Sequence, residues 1–192
     1  MGYRLITPPA AFPVTLAEAK AQCRVDHADD DAILNRLIAA ATSYLDARAG
    51  VLGRCIVNQT WELTLDAFPP DEIQIDLGPV QSIVDVNYDD PSGAAQSLVV
   101  TSYILDAASP TAWVVPQDDW PATIEAVNAV RVRFIAGYGG TSAAVPDAIR
   151  HAILMLVSHW YEHREAVNIG NITTELPLAV AALLAPYRAI FV

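Results

Sequence analysis

The run His159-Trp160-Tyr161-Glu162-His163-Arg164-Glu165 holds the residues best spaced for chemistry in this chain. His-x-x-Glu-His is the inverted spelling of a zinc-hydrolase motif. Residues four apart on a helix share a face, so His159 and His163 could both ligate a metal, with Glu162 as general base. A catalytic zinc takes three protein ligands and leaves one position open. Beyond Glu165 the only carboxylate side chain is Glu175, and Arg164 sets a fixed positive charge beside His163. A small zinc-dependent hydrolase using His159, Glu162 and His163 is therefore the weaker alternative. Neither a metal nor a cofactor is expected.

Other constellations read as structure. Asp26, Asp29, Asp30 and Asp31 lack the glycine-containing spacing of a calcium loop and suit a helix start. Gly137-Tyr138-Gly139-Gly140-Thr141 lacks the lysine of a phosphate loop and reads as a flexible connection. There is no Gly-x-Ser-x-Gly elbow. Cys23 and Cys55 stand without paired-ligand spacing and read as free buried thiols. Arg131 and Arg133, on the wet face of a strand, read as partners for nearby carboxylates. Trp61, Trp113, Trp120 and Trp160 read as packing.

Three blocks position these residues: 1–54, 55–140 and 141–192. In the first, Thr15 and Glu18 spell a capping box, predicting a short helix to about Arg24. A second helix opens at Asp29-Asp30-Asp31. Its Ile33, Leu34, Leu37, Ile38, Ala41 and Leu45 recur at helical spacing, and Gly50 stands where a C-terminal cap belongs. The middle block changes to period two, with strands around Trp61-Leu63-Leu65, Ile73-Ile75-Leu77, Val84-Val86-Tyr88 and Val130-Val132-Phe134. Asp89-Asp90-Pro91-Ser92-Gly93 is turn chemistry that closes a hairpin. No helical crossover separates the strands, so the sheet should be antiparallel.

The last block predicts a long helix over 146–167, striped by Ile149, Ile153, Leu156 and Trp160, and a short one over 177–185. The fold class is α+β: blocks 1–54 and 141–192 form one helical core, and 55–140 is an antiparallel β insert between them.

With 53% hydrophobic and 17% charged residues, the chain falls in the globular class. The net charge of −11 and a single lysine, Lys20, argue against tracking along phosphates. They are compatible with an acidic wall past which DNA slides. No secretory signal is read in residues 1–11, and no apolar run is long enough to span a bilayer.

Several stretches together resemble one family. They are Thr15-Leu16-Ala17-Glu18-Ala19-Lys20, Arg24-Val25-Asp26-His27, Gln59-Thr60-Trp61-Glu62-Leu63 and Ala136-Gly137-Tyr138-Gly139. To these add 159–165, Leu176-Pro177-Leu178-Ala179-Val180 and Pro186-Tyr187-Arg188. In order and over nearly the whole chain, they are similar to the head–tail connector (adaptor) proteins of long-tailed bacteriophages. The form with a large β insert is also found in prophages and gene transfer agents.

The resemblance implies a non-catalytic protein of the virion neck, assembled in the bacterial host cytoplasm. It implies a homo-oligomeric ring, commonly twelve-fold, below the portal protein. A stopper or tail-completion protein assembles on that ring, and DNA passes through the lumen without specific binding. It also implies that the C-terminal segment reaches the portal, which places the portal interface on Tyr187, Arg188, Ile190, Phe191 and Val192. An apolar tail after a helix-stopping proline is costly unless something covers it, and this agrees. A binding module built on the β insert is a further alternative.

Overall fold

The structure is a computed structural model that describes residues 2–163 and 178–189. The chain divides into two compact units, one of residues 11–57 and 139–190 and one of residues 1–10 and 58–138. The fold is α+β, and every strand pair is antiparallel.

The helical unit contains α1 (Leu16–Cys23), α2 (Asp31–Leu45), α3 (Asp147–Glu162) and α4 (Leu178–Leu184). The capping box is formed as the sequence predicts. Thr15 Oγ1 accepts from the Glu18 N–H at 3.2 Å, and Glu18 Oε2 accepts from the Thr15 N–H at 2.7 Å. Between them they satisfy two amide donors that helix geometry leaves open. Arg24 ends α1 in the left-handed conformation, with φ 57°.

The aspartates at the start of α2 do different work from the capping the sequence suggests. Asp30 is the N-cap but its side chain makes no cap hydrogen bond. It accepts instead from the Tyr161 hydroxyl on α3, while Asp31 pairs with Lys20 of α1 at 2.7 Å. α3 packs against the other three helices and buries Ile149, Ile153, Leu156 and Val157 against Ala19, Leu34, Ile38, Leu45, Val180 and Leu184. Trp160 extends this stripe half-buried, with its ring edge-to-face on Tyr44 at 6.2 Å.

α2 ends at Leu45, five residues before the expected Gly50 cap. Asp46 turns extended, Ala47 takes φ 59°, and Asp46 Oδ1 accepts from the Ile56 N–H at 2.7 Å. Gly50 has a different purpose: a Cβ there would lie 2.3 Å from Asp46 O. The glycine lets the turn fold back on the helix end. α3 ends at Glu162, with His163 as its C-cap; the remainder of the helix expected over 146–167 lies outside the described residues.

The sheet unit holds β1 (Gly2–Thr7), β2 (Gln59–Leu65), β3 (Ile73–Ile75), β4 (Val80–Asp89), β5 (Ala95–Ser97), β6 (Tyr103–Asp106), β7 (Ala112–Pro116) and β8 (Val130–Ala136). One sheet has the order β1-β2-β8-β4-β5 and the other β3-β7-β6. The first ten residues thus belong to this unit and not to the helical block where the sequence places them. The reason is β1, whose backbone pairs with β2 from Gly2↔Thr64 to Leu5↔Trp61.

Leu63, Val86, Val130, Val132 and Phe134 are buried on one sheet, and Ile73, Ile75, Ala112 and Val114 on the other. The Asp90 turn closes the β4–β5 hairpin as predicted. Asp90 Oδ1 accepts from the Ser92 and Ala94 amides at 2.9 and 3.1 Å, and Gly93 supplies φ +83°. These bonds, with those from the Ser92 hydroxyl and Gln96, hold the Asp90 carboxyl down at about 2.

Candidate functional site

Tyr187 and Arg188, assigned to the portal contact by resemblance, lie just past α4. Val180 and Leu184 of α4 are buried, whereas Leu178 is 86% exposed. Pro186 cannot donate a backbone hydrogen bond, and the helix tightens there into a single 3-10 turn over Ala185–Tyr187. Tyr187 is half-buried and Arg188 exposed. The Ala189 N–H donates to Leu52 O at 2.7 Å, so the chain is tied to its own unit as far as that residue. Ile190, Phe191 and Val192 lie outside the described residues.

The histidine motif occupies the end of α3. His159 and His163 do share a face, with ring centroids 4.7 Å apart. The His163 amide donates to His159 O at 3.0 Å, and its ring Nδ1 lies 3.0 Å from the same oxygen. The histidines therefore serve the open carbonyls and negative pole of the helix terminus. Among the described residues no group of three His, Cys, Asp or Glu side chains is placed to hold a metal ion. Among the described residues the zinc-hydrolase reading gains no third ligand.

Cys23 is half-buried and Cys55 buried, and neither is in a disulfide. Burial pushes the Cys23 thiol up, a hydrogen bond with Ser158 opposes this, and the Glu162 charge adds to the rise. A reactive thiolate needs the reverse surroundings. Among the described residues no helix is long and apolar enough to cross a membrane.

Arg131 and Arg133 make the carboxylate pairs expected of them. Arg131 grips Asp89 with two bonds of 2.7 and 2.9 Å and holds that carboxyl below its ordinary value. Arg133 Nε donates to Glu62 Oε2 at 2.8 Å, and Arg4 Nη2 to Glu62 Oε1 at 2.7 Å. Asp85 stands 3.7 Å from Arg133. Strand register sets this order: Arg4, Glu62, Arg133 and Asp85 are successive cross-strand partners over β1, β2, β8 and β4. Period two places Glu62 on the wet face, yet its side chain is 2% exposed, because the two arginines close over it. No motif marks this row in the sequence, since Arg4 is distant in the chain.

The arrangement amounts to a helical unit interrupted in sequence by an antiparallel β unit, with a C-terminal segment and no assembled catalytic group among the described residues. Residues 13–90 match the family model of the phage gp6-like head-tail connector proteins. No curated protein sequence matches the chain.

Solved structures match its whole length. One chain in the virion of a native gene transfer agent (GTA) particle is similar at 21% identity and a TM-score of 0.80, covering 100% of this chain and 97% of that one. A chain in the neck of an empty GTA particle, computed with C6 symmetry, is similar at 22% identity and a TM-score of 0.79, with the same coverage. A chain in the neck of a native GTA particle, computed with C12 symmetry, matches at 21% identity and a TM-score of 0.69. At these identities the likeness is one of fold.

Proposed function

We propose that the protein is a structural head–tail connector of the neck of a tailed phage or gene transfer agent particle. It forms a ring below the portal protein, joins the head to a stopper or tail-completion protein, and lets DNA pass through its lumen. The observation that carries this reading is the fold shared over 100% of the chain with a chain of a GTA virion, together with the family match over residues 13–90. The C6 and C12 symmetry of the similar GTA necks supports a closed ring, twelve-fold in its simplest form. A head-to-tail contact between subunits closes only when the rotation per subunit divides a full turn. The role is mechanical and uses no cofactor.

The portal contact falls on Tyr187, Arg188, Ile190, Phe191 and Val192. Its support is chemical. An aromatic and an arginine side by side, followed by three apolar residues, have the composition of interface anchors. Because Ala189 is tied to Leu52, the test separates the two parts of the segment. Deleting residues 190–192, or replacing Tyr187→Ala with Arg188→Glu, should leave a folded subunit that no longer joins portal-bearing heads. Head joining that survives both changes would remove the portal contact from this segment.

A further inference from the structure

The sheet unit has a cavity outside everything used above. It holds about 240 Å³, and Tyr88, Ser102, Pro116, Asp118, Asp119 and Trp120 are among its lining residues. The aromatic wall is preset. Phe68 stacks on Trp120 at 4.7 Å with the rings 6° from parallel, and meets Tyr88 edge-on at 5.5 Å. The indole Nε1–H donates to Asp71 O at 2.6 Å, which fixes the ring's rotation. Phe68 occupies one face of the indole, and the cavity lies against a ring already held in place.

The charge is equally specific. Residues 1–10 and 58–138 carry twelve carboxylates against three arginines, Arg4, Arg131 and Arg133, and no lysine. All three arginines are engaged, with Glu62, Asp89 and Asp85. Asp118 and Asp119 are exposed at the cavity, and neither forms a hydrogen bond or ion pair with another described residue. Among the described residues the unit therefore has no unengaged cationic side chain to give them.

We propose that this cavity receives an arginine side chain from a partner protein. A guanidinium is planar and weakly hydrated, stacks on an aromatic face, and presents a fork of donors that spans neighbouring carboxylates. A preset wall keeps the ordering cost of docking low. The site stands on the sheet unit's own residues and does not depend on the neck reading.

The test uses nitrogen-labelled full-length protein and the separate indole N–H resonance of Trp120, identified with Trp120→Phe. N-acetyl-arginine amide should shift that resonance and the amides of residues 118–120 in a saturable way. N-acetyl-citrulline amide has nearly the same shape without the charge, and should bind about tenfold more weakly or less. Asp118→Asn with Asp119→Asn should weaken arginine binding by a similar factor and leave the β2 and β8 resonances in place. Three results would each overturn the proposal. They are no saturable shift at Trp120, equal binding of the citrulline compound, or arginine binding undiminished in the double variant.

Discussion

Glu62 shows how one residue departs from a pattern that is otherwise legible. Alternation along β2 assigns it to solvent, correctly for the face but wrongly for the burial. The missing information is Arg4, fifty-eight residues away, whose pairing no local signal announces. Arg133→Met should leave the buried carboxylate with Arg4 alone and lower stability by roughly 1–3 kcal/mol, the range for a buried polar group that loses a partner. Urea denaturation checks this, and an unchanged midpoint would mean that Arg133 is a surface ornament.

Glu18 gives a pH signature. Its carboxyl is held below its ordinary value of 4.5, first by the Thr15 amide and hydroxyl and further by Arg150. A depressed folded value makes a stabilising contribution that is complete above the unfolded value and lost as pH falls through the folded one. The stability gap between the native chain and Glu18→Gln should therefore be full at neutral pH and close below pH 4.5. A gap that widened with acid would contradict the assignment.

Among the elements, α2, α3, β2, β4 and β8 are legible because each repeats its period long enough to outweigh local noise, and α1 is legible from its capping box. Of the short strands, β3 is legible from Ile73 and Ile75, but β1 and β5 are not. β5 is Ala-Gln-Ser, exposed throughout, and exists through its pairing with β4. β1 carries no clean alternation and is exposed along most of its length, so only its pairing with β2 defines it. The Gly50 error has the same origin: glycine after a helical run suggests a cap, but close approach to the Asp46 carbonyl is what demands it.

Two predictions belong at this scale. Gly50→Ala should destabilise by more than about 1 kcal/mol, since a backbone atom stands in the way, whereas Gly140→Ala meets nothing within 4 Å and should be near neutral. Comparing the two melting temperatures checks both. In the β4–β5 turn, the Ser92 and Ala94 amide resonances should titrate with a midpoint near 2, and not at the ordinary aspartate value of 3.8.

At the scale of the whole molecule, the α+β class and the helical unit built from both ends of the chain follow from where the period changes. The motif that looked most chemical has a structural place, because His159 and His163 finish a helix. The segment proposed for the portal contact is legible only as composition, since what covers an apolar tail is decided by another surface. Net charge of −11 also leaves few groups to displace counterions from duplex DNA. A gel shift at submicromolar protein and physiological salt should show no complex.

The proposed connector closes into a ring on a portal. Light scattering on the purified full chain, alone and with the portal protein of the same particle, tests it most directly. A monomer or weak association is expected alone, and a closed ring, twelve-fold in its simplest form, when portal is present. A stable two-fold dimer whose mass does not change on adding portal would contradict it.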